Sequence, residues 1–563
     1  MDYKNIYKNW LNNDFFDDET KDELKKIEND ENEIEDRFYQ ELAFGTAGLR
    51  GKIGAGTNRM NQYTVAKASQ GFADTINEMG EDAKKRGITI CYDVRHKSDE
   101  FSKITAEVFA ANGIKVNIFK EIQPTPVCSY AIRKLKSIAG VMITASHNPR
   151  EYNGYKAYGS DGSQILEDTA VKIQNYMKDY DDYSKIKRLD FEKAMDEGLI
   201  SWIDDSLIED YVKEVLECTI NDNIDKDVKI VYTPLNGCGN KLVRRILDQR
   251  GFKNIYIVDQ QENPDPDFST VGYPNPEDPK AFKLSEELGY EKDAELLLAT
   301  DPDSDRCAVE VKDKEGKYKF LTGNQIGSLL TNYILTALKE NNELPKDGAI
   351  VKSIVSTDLV KPIAKRFEVD VYEVLTGFKN IYEVANKFEQ VGKGEFIFGF
   401  EESIGYNYKS FVRDKDAVNS AMLISEMTAY YKKQGKSLLD VLENIYEEYG
   451  YYSNEVQSIV LEGLDGAKKI KRIMEAIRKN PIEKIIGLNV EKIVDYQFDD
   501  TDLPKSNVLK YYLEDDSWFV LRPSGTEPKI KLYLNVIDNS MEKSEEKKSK
   551  LKEEVNKIID QID

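Results

Sequence analysis

The chain has 563 residues, 40% of them hydrophobic and 32% charged, which excludes a disordered polymer and is too long for one core, so about three to five domains are expected. No apolar run approaches the roughly 20 residues of a membrane span, and the start, MDYKNIYKNWLNND, has no apolar signal-peptide core. A net charge of −23, from 79 basic against 102 acidic residues, repels nucleic acid, so an anionic small substrate would need a local pocket of cations.

Residues 1–40 are acidic and predict helices with little chemistry. The Gly-rich stretch FGTAGLRGKIGAGTNRMN around Arg50 fails the Walker pattern at Thr46 and Ile53, and no GxGxxG follows Gly54 and Gly56. It remains compatible with a close approach to phosphate. Three strand–helix–strand units of about 30 residues come next, the size of a parallel crossover. They are ITICYDV to IKVNIF, VKIVYTP to KNIYIV, and AIVKSIVS to DVYEVLT. Each is followed downstream by a continuous apolar strand that runs into a polar loop: IAGVMITA before Ser146, AELLLAT before Asp301, and EFIFGF before Glu401. Ligand loops of open α/β sheets lie beyond such strand ends. The last hundred residues predict a separate α+β segment with strands SWFVLRP and KIKLYLNV. Its closing helix, SEEKKSKLKEEVNKIIDQ, reads as a solvated charged face.

Four loops carry the chemistry. TDPDSDR sets Asp301, Asp303 and Asp305 at alternate positions, an oxygen-only ligand set suited to Mg²⁺, with Arg306 beside it as a phosphate donor. An EF-hand fails there, because Arg306 and Lys312 stand where Gly and Glu are needed. RPSGTEPK offers Arg522, Ser524, Gly525 and Thr526 as a phosphate nest. GFEESIGY, with Glu401, Glu402 and Ser403, and TGFKNI, with Thr376, Gly377 and Lys379, suit sugar hydroxyls. In ITASHNP, Ser146 is no hydrolase nucleophile: GxSxG is absent, and the only histidines are the adjacent His147 and the distant His96. A phosphorylated serine needs no histidine, only a cation and positive groups on the acceptor side. The five cysteines form no CxxC pair, which predicts reduced thiols in a cytoplasm and no zinc framework.

TASHNP with EYNGYK, DPDSDR, TGFKNI, GFEESIGY and RPSGTEPK, in this order over roughly residues 40–530, resemble the loops of the α-D-phosphohexomutases. FGTAGLRG is similar to the branch of that family that acts on glucose and pentose phosphates. The resemblance implies three similar α/β domains with mixed sheets plus a C-terminal α+β domain around a central cleft. The expected spans are a helical extension 1–40, then 41–200 with the phosphoserine loop, 201–315 with the metal loop, 316–450 with the sugar-reading loop and 451–563 with the phosphate-binding loop. It implies that Ser146 is the phosphoserine, and that Asp301, Asp303, Asp305 and the Ser146 phosphate hold one Mg²⁺. Arg50 and Lys156 would lie beside it, with Lys156 as general acid or base, its pKa lowered by Arg50. His147 and Asn148 would orient the loop. Glu401 and Ser403 would read the sugar, and Arg522, Ser524, Gly525 and Thr526 would clamp the resting phosphate. The implied activity interconverts glucose 1-phosphate and glucose 6-phosphate through glucose 1,6-bisphosphate, in a cytoplasmic monomer or homodimer without nucleic-acid or membrane partners. Pentose- or mannose-preferring mutases and a non-catalytic metal-binding phosphoprotein are the alternatives. GFEESIGYNYKSFVRDKD lacks the histidine many relatives carry after the sugar loop, and neither Tyr406 nor Lys415 is assigned its place.

Overall fold

The computed structural model describes residues 2–45, 48–461, 463–524 and 529–562. The chain divides into two compact units, Met1–Leu321 with Ile404–Lys433, and Thr322–Ser403 with Gln434–Asp563.

The first unit holds two mixed sheets. One comprises β1 (Leu49–Lys52), β2 (Ile88–Tyr92), β3 (Val116–Ile118), β4 (Ala139–Ile143), β5 (Tyr152–Gly159) and β6 (Ile200–Trp202), in the order β1-β5-β4-β2-β3-β6. β2, β3, β4 and β6 run parallel, whereas β5 turns back antiparallel beside β4 and carries β1. The other comprises β7 (Lys229–Thr233), β8 (Asn254–Ile257), β9 (Leu296–Thr300), β10 (Cys307–Lys312) and β11 (Tyr318–Leu321), in the order β11-β10-β9-β7-β8. β4 and β9 are buried along their whole length, which is why AGVMI and LLLAT contain no polar alternation. Helix Ser98–Ala111 buries Phe101, Ile104, Thr105 and Val108, the i, i+3, i+4, i+7 stripe of a helix laid on a sheet. β6 crosses the expected boundary at residue 200.

The acidic N-terminus does form helices, Tyr3–Asn12, Asp18–Lys26 and Glu31–Phe38. They close over an aromatic cluster in which Trp10 stacks on Phe16 at 4.3 Å and meets Tyr63 and Tyr183 edge-on.

Residues 404–433 pack into the first unit. They form β15 (Gly405–Tyr408) and helix Ala417–Lys433. Buried polar groups tie them there: Tyr211 donates to Asp416, Arg250 pairs with Glu426 at 2.8 Å, and the Ile404 carbonyl accepts from Cys307.

In the second unit β12 (Gly348–Ser353) lies parallel between β13 (Asp370–Val374) and β14 (Glu395–Glu401). The C-terminal sheet is antiparallel: β16 (Tyr451–Val460), β17 (Lys484–Ile485), β18 (Leu488–Asp495), β19 (Leu509–Leu513), β20 (Trp518–Pro523) and β21 (Lys529–Asp538), in the order β16-β21-β20-β19-β18-β17. The last helix, Met541–Asp560, is not merely a solvated face. Leu551, Val555 and Ile559, spaced four apart, are buried with the sheet residues Leu532 and Leu534. Among the described residues no helix is long and apolar enough to cross a membrane.

Candidate functional site

Two strand ends of the first unit meet. The loop after β4 carries Ser146 with φ at +52°, an uncommon left-handed backbone for a serine, and the loop after β9 carries Ser304 with the same angle. Ser146 N–H donates to Thr144 Oγ1 at 2.8 Å, and Ser146 Oγ donates to Asp301 Oδ2 at 2.8 Å, although 155 residues separate the two. Thr125, the first residue of helix Thr125–Leu135, holds the aspartate loop, its N–H donating to the Asp303 carbonyl and its hydroxyl to Asp303 Oδ2.

Asp301, Asp303 and Asp305 are buried, and a ligand oxygen of each lies within 4.8 Å of the others. Asp301 Oδ1 accepts the N–H groups of Asp305 and Arg306. Asp303 Oδ1 and Asp305 Oδ1 are buried and accept no hydrogen bond from a described residue. Three buried carboxylates this close, two of them with an oxygen that accepts no hydrogen bond from a described residue, fit a hard divalent cation such as Mg²⁺. Burial and the charges of Asp303 and Asp305 push Asp301 well above the ordinary carboxylate range. Burial opposes ionisation of Asp303 and Asp305 too, but Lys156, joined at Asp305 by Lys415 and Arg306, holds both below it.

Lys156, on β5, reaches Asp303 Oδ2 at 2.7 Å and Asp305 Oδ2 at 3.1 Å. Its expected pKa is thereby corrected. Burial disfavours the ammonium, yet the two carboxylates outweigh burial and raise it above the usual lysine range; the opposing like charge is Lys415, not Arg50. Arg50, exposed on β1, instead donates to Asn148 Oδ1 at 3.0 Å. His147 Nδ1 lies 3.3 Å from Ser146 Oγ, and burial with Arg306 and Arg50 nearby keeps the imidazole well below its ordinary pKa, hence neutral. Arg306 Nε stands 3.8 Å from Asp305 Oδ1.

Lys415, left without a role by the sequence, joins this cluster: its Nζ lies 3.1 Å from Asp305 Oδ2 and 3.2 Å from Asp414 Oδ1. Asp414 in turn accepts from Tyr158 and Gln164 of the first sheet's domain. Tyr406, by contrast, is buried with a hydroxyl that meets no described partner.

The remaining predicted residues lie in the second unit. Glu401 ends β14, and its Oε1 accepts the Gly377 N–H at 2.6 Å, joining GFEES to TGFKNI. Gly377, at φ +112°, opens helix Phe378–Val391, on whose first turn Lys379 sits, and the Thr376 carbonyl accepts from Asn380. Ser403 is half-buried two residues beyond Glu401. Glu402, grouped above with Glu401 and Ser403, accepts from Ser353 at the end of β12 and from Ser356 just beyond it. Arg522 donates to the Tyr533 hydroxyl at 3.4 Å, and Ser524 N–H to the Lys529 carbonyl at 2.8 Å. Burial and the charges of Glu402 and Glu401 raise the Tyr533 pKa, with Arg522 opposing them, so the arginine and the sugar loop share one neighbourhood. Gly525 and Thr526 fall outside the described residues.

Comparison with known proteins matches the phosphoglucomutase/phosphomannomutase alpha/beta/alpha domain I at residues 41–184, domain II at 209–316, domain III at 322–449 and the C-terminal domain at 459–557. The chain belongs to this family. A phosphoglucomutase of Staphylococcus haemolyticus (strain JCSC1435) is 37% identical over 90% of this chain and 92% of its own. One of Staphylococcus aureus (strain MRSA252) is 40% identical over 91% and 93%. Among solved structures, parafusin, a Paramecium phosphoglucomutase in an open form, aligns with a TM-score of 0.70 at 17% identity over 92% of this chain and 96% of its own. A family protein of Burkholderia thailandensis aligns with a TM-score of 0.67 at 17% identity over 93% and 98%. At such identities these two speak for the fold, the four-domain architecture of this family.

Proposed function

We propose that the chain interconverts α-D-glucose 1-phosphate and glucose 6-phosphate, with Ser146 as the phosphoryl carrier and glucose 1,6-bisphosphate as the intermediate. The observation that carries this reading is the hydrogen bond of Ser146 Oγ to a buried three-aspartate cluster with two unpartnered oxygens. The relatives at 37–40% identity, named phosphoglucomutases, support glucose as the sugar.

Phospho-Ser146 gives its phosphoryl group to the free hydroxyl of the hexose phosphate: the Ser146 Oγ–P bond breaks as the sugar O–P bond forms, and the proton lost by that hydroxyl ends on Ser146 Oγ. The bisphosphate then returns its other phosphate to Ser146, so serine and phosphate balance over the cycle. Asp301, Asp303, Asp305 and the Ser146 phosphate would hold one Mg²⁺, which when bound would neutralise phosphoryl charge. Lys156 lies against Asp303 and Lys415 against Asp305, and Lys156 is assigned the relay of the proton from the sugar hydroxyl to Ser146 Oγ as general acid or base. Neutral His147 and Asn148, the latter held by Arg50, fix the loop around Ser146. In the second unit Glu401 and Ser403 read sugar hydroxyls, and Arg522 with Ser524 clamps the phosphate that is not moving; Gly525 and Thr526 are assigned to the same clamp.

Phosphorus NMR of the protein with Mg²⁺, a trace of glucose 1,6-bisphosphate, and glucose 1-phosphate, mannose 1-phosphate and ribose 1-phosphate in competition tests the sugar. Glucose 6-phosphate should appear first. Faster ribose 5-phosphate or mannose 6-phosphate would overturn the glucose assignment, and no turnover of any of the three would favour a non-catalytic metal-binding phosphoprotein.

A further inference from the structure

Arg95, between β2 and helix Ser98–Ala111, has a side chain fully removed from solvent. Its Nη1 donates to the carbonyls of Pro149, at 2.9 Å, and Tyr152, at 3.1 Å, and its Nη2 to those of Ser146 and Asn148. Four backbone carbonyls of the Ser146 loop therefore converge on one guanidinium. Oxygens crowded in this way repel one another unless a donor with several fixed N–H groups stands between them, and the planar arginine fork is the side chain that meets the need. The clamp is anchored from behind. Asp93 Oδ2 lies 3.4 Å from Nε, while Asp93 Oδ1 accepts the Arg95 N–H and the Ser98 hydroxyl. Phe268, from the domain that carries the aspartate loop, packs its ring 5.1 Å from the guanidinium carbon.

One of the four carbonyls belongs to Ser146 itself, the residue with left-handed backbone. Turning that peptide back to an ordinary φ would break the contact and swing Oγ away from Asp301.

We propose that Arg95 is a positioning residue for phosphoryl transfer, holding the strained Ser146 backbone so that Oγ stays aimed at the aspartate cluster. This rests on Ser146 being the phosphoryl carrier. The four contacts above spend its Nη groups on the backbone, so loss of the clamp acts on kcat and not on sugar binding. The test measures uptake of phosphate from glucose 1,6-bisphosphate onto Ser146 by intact mass, and kcat and KM for glucose 1-phosphate, in wild type, Arg95→Lys and Arg95→Ala, each normalised to the folded fraction from its melting curve. A lysine satisfies too few of the four carbonyls, so Arg95→Lys should take up phosphate and turn over about 100-fold more slowly, with KM within about threefold. Millimolar guanidinium should restore Arg95→Ala at least about tenfold, as it refills the vacated fork. Arg95→Lys alone decides the matter where the alanine variant does not fold. Uptake by Arg95→Lys equal to wild type per folded molecule, or an effect confined to KM, overturns the inference while leaving the carrier reading intact. Wild-type protein that takes up no phosphate overturns both.

Discussion

Ser146→Ala should lower mutase turnover by at least about 10⁴-fold, because the variant has no oxygen on which to carry the phosphoryl group between its two transfers. The fold should survive. The substitution removes one hydrogen bond, Ser146 Oγ to Asp301 Oδ2, an interaction worth about 0.5–3 kcal/mol, the upper half only with an ionised acceptor. The positive φ makes alanine no worse there than serine, since both carry a Cβ. Thermal melting beside steady-state kinetics checks both parts. Residual turnover above one part in a thousand in a well-folded variant would mean that phosphate moves without Ser146.

Lys156→Met should have the largest effect on stability. The ammonium is the cation closest to Asp303 and one of two lysines on Asp305, at a side-chain exposure of 5%. Removing one partner of a buried ion pair costs about 3–5 kcal/mol, because the carboxylates are left uncompensated in a low-dielectric site. Lys415 relieves this at Asp305, while at Asp303 the Thr125 hydroxyl donates a neutral hydrogen bond that cannot replace the lost charge. Mg²⁺ held by the folded aspartate cluster, as proposed, would replace part of the missing charge, so it should raise the melting temperature of Lys156→Met more than that of wild type. Turnover should fall by about 10²–10⁴-fold through loss of the proton donor. Differential scanning calorimetry with and without Mg²⁺ checks the first part and kinetics the second. A variant as stable as wild type in chelator would show that Lys156 does not neutralise the aspartates.

Much of the scaffold was legible because strands buried on both faces carry no polar positions: IAGVMITA and AELLLAT each announce a strand, and the first polar residues after them mark the loops that meet. The aspartate cluster was legible because three carboxylates at alternate positions have no cheap explanation. What sequence could not supply was everything created by distant chain meeting distant chain. Lys156 stands 147 residues from Asp303, and the resemblance, which set Arg50 beside it, implied repulsion where the structure has attraction to carboxylates. Ile404–Lys433 follows the sugar loop directly; its packing in the first unit depends on Tyr211, Tyr158 and Arg250, none near it in sequence. Arg95 left a faint signal, an Asp-Val-Arg step right after a buried strand, where two charges with no obvious solvent face needed explaining. The closing helix misled because charges outnumber its buried stripe of Leu551, Val555 and Ile559.

The central claim is that Ser146 carries the phosphoryl group. Protein charged at Ser146 with glucose 1,6-bisphosphate, freed of ligand, and mixed in a quench-flow apparatus with glucose 1-phosphate and Mg²⁺ tests it in one turnover. Phosphate should leave the peptide containing Ser146 at least as fast as steady-state turnover and appear in glucose 1,6-bisphosphate. Phosphate that stays on Ser146 while glucose 6-phosphate accumulates, or that passes only to water, would contradict the account.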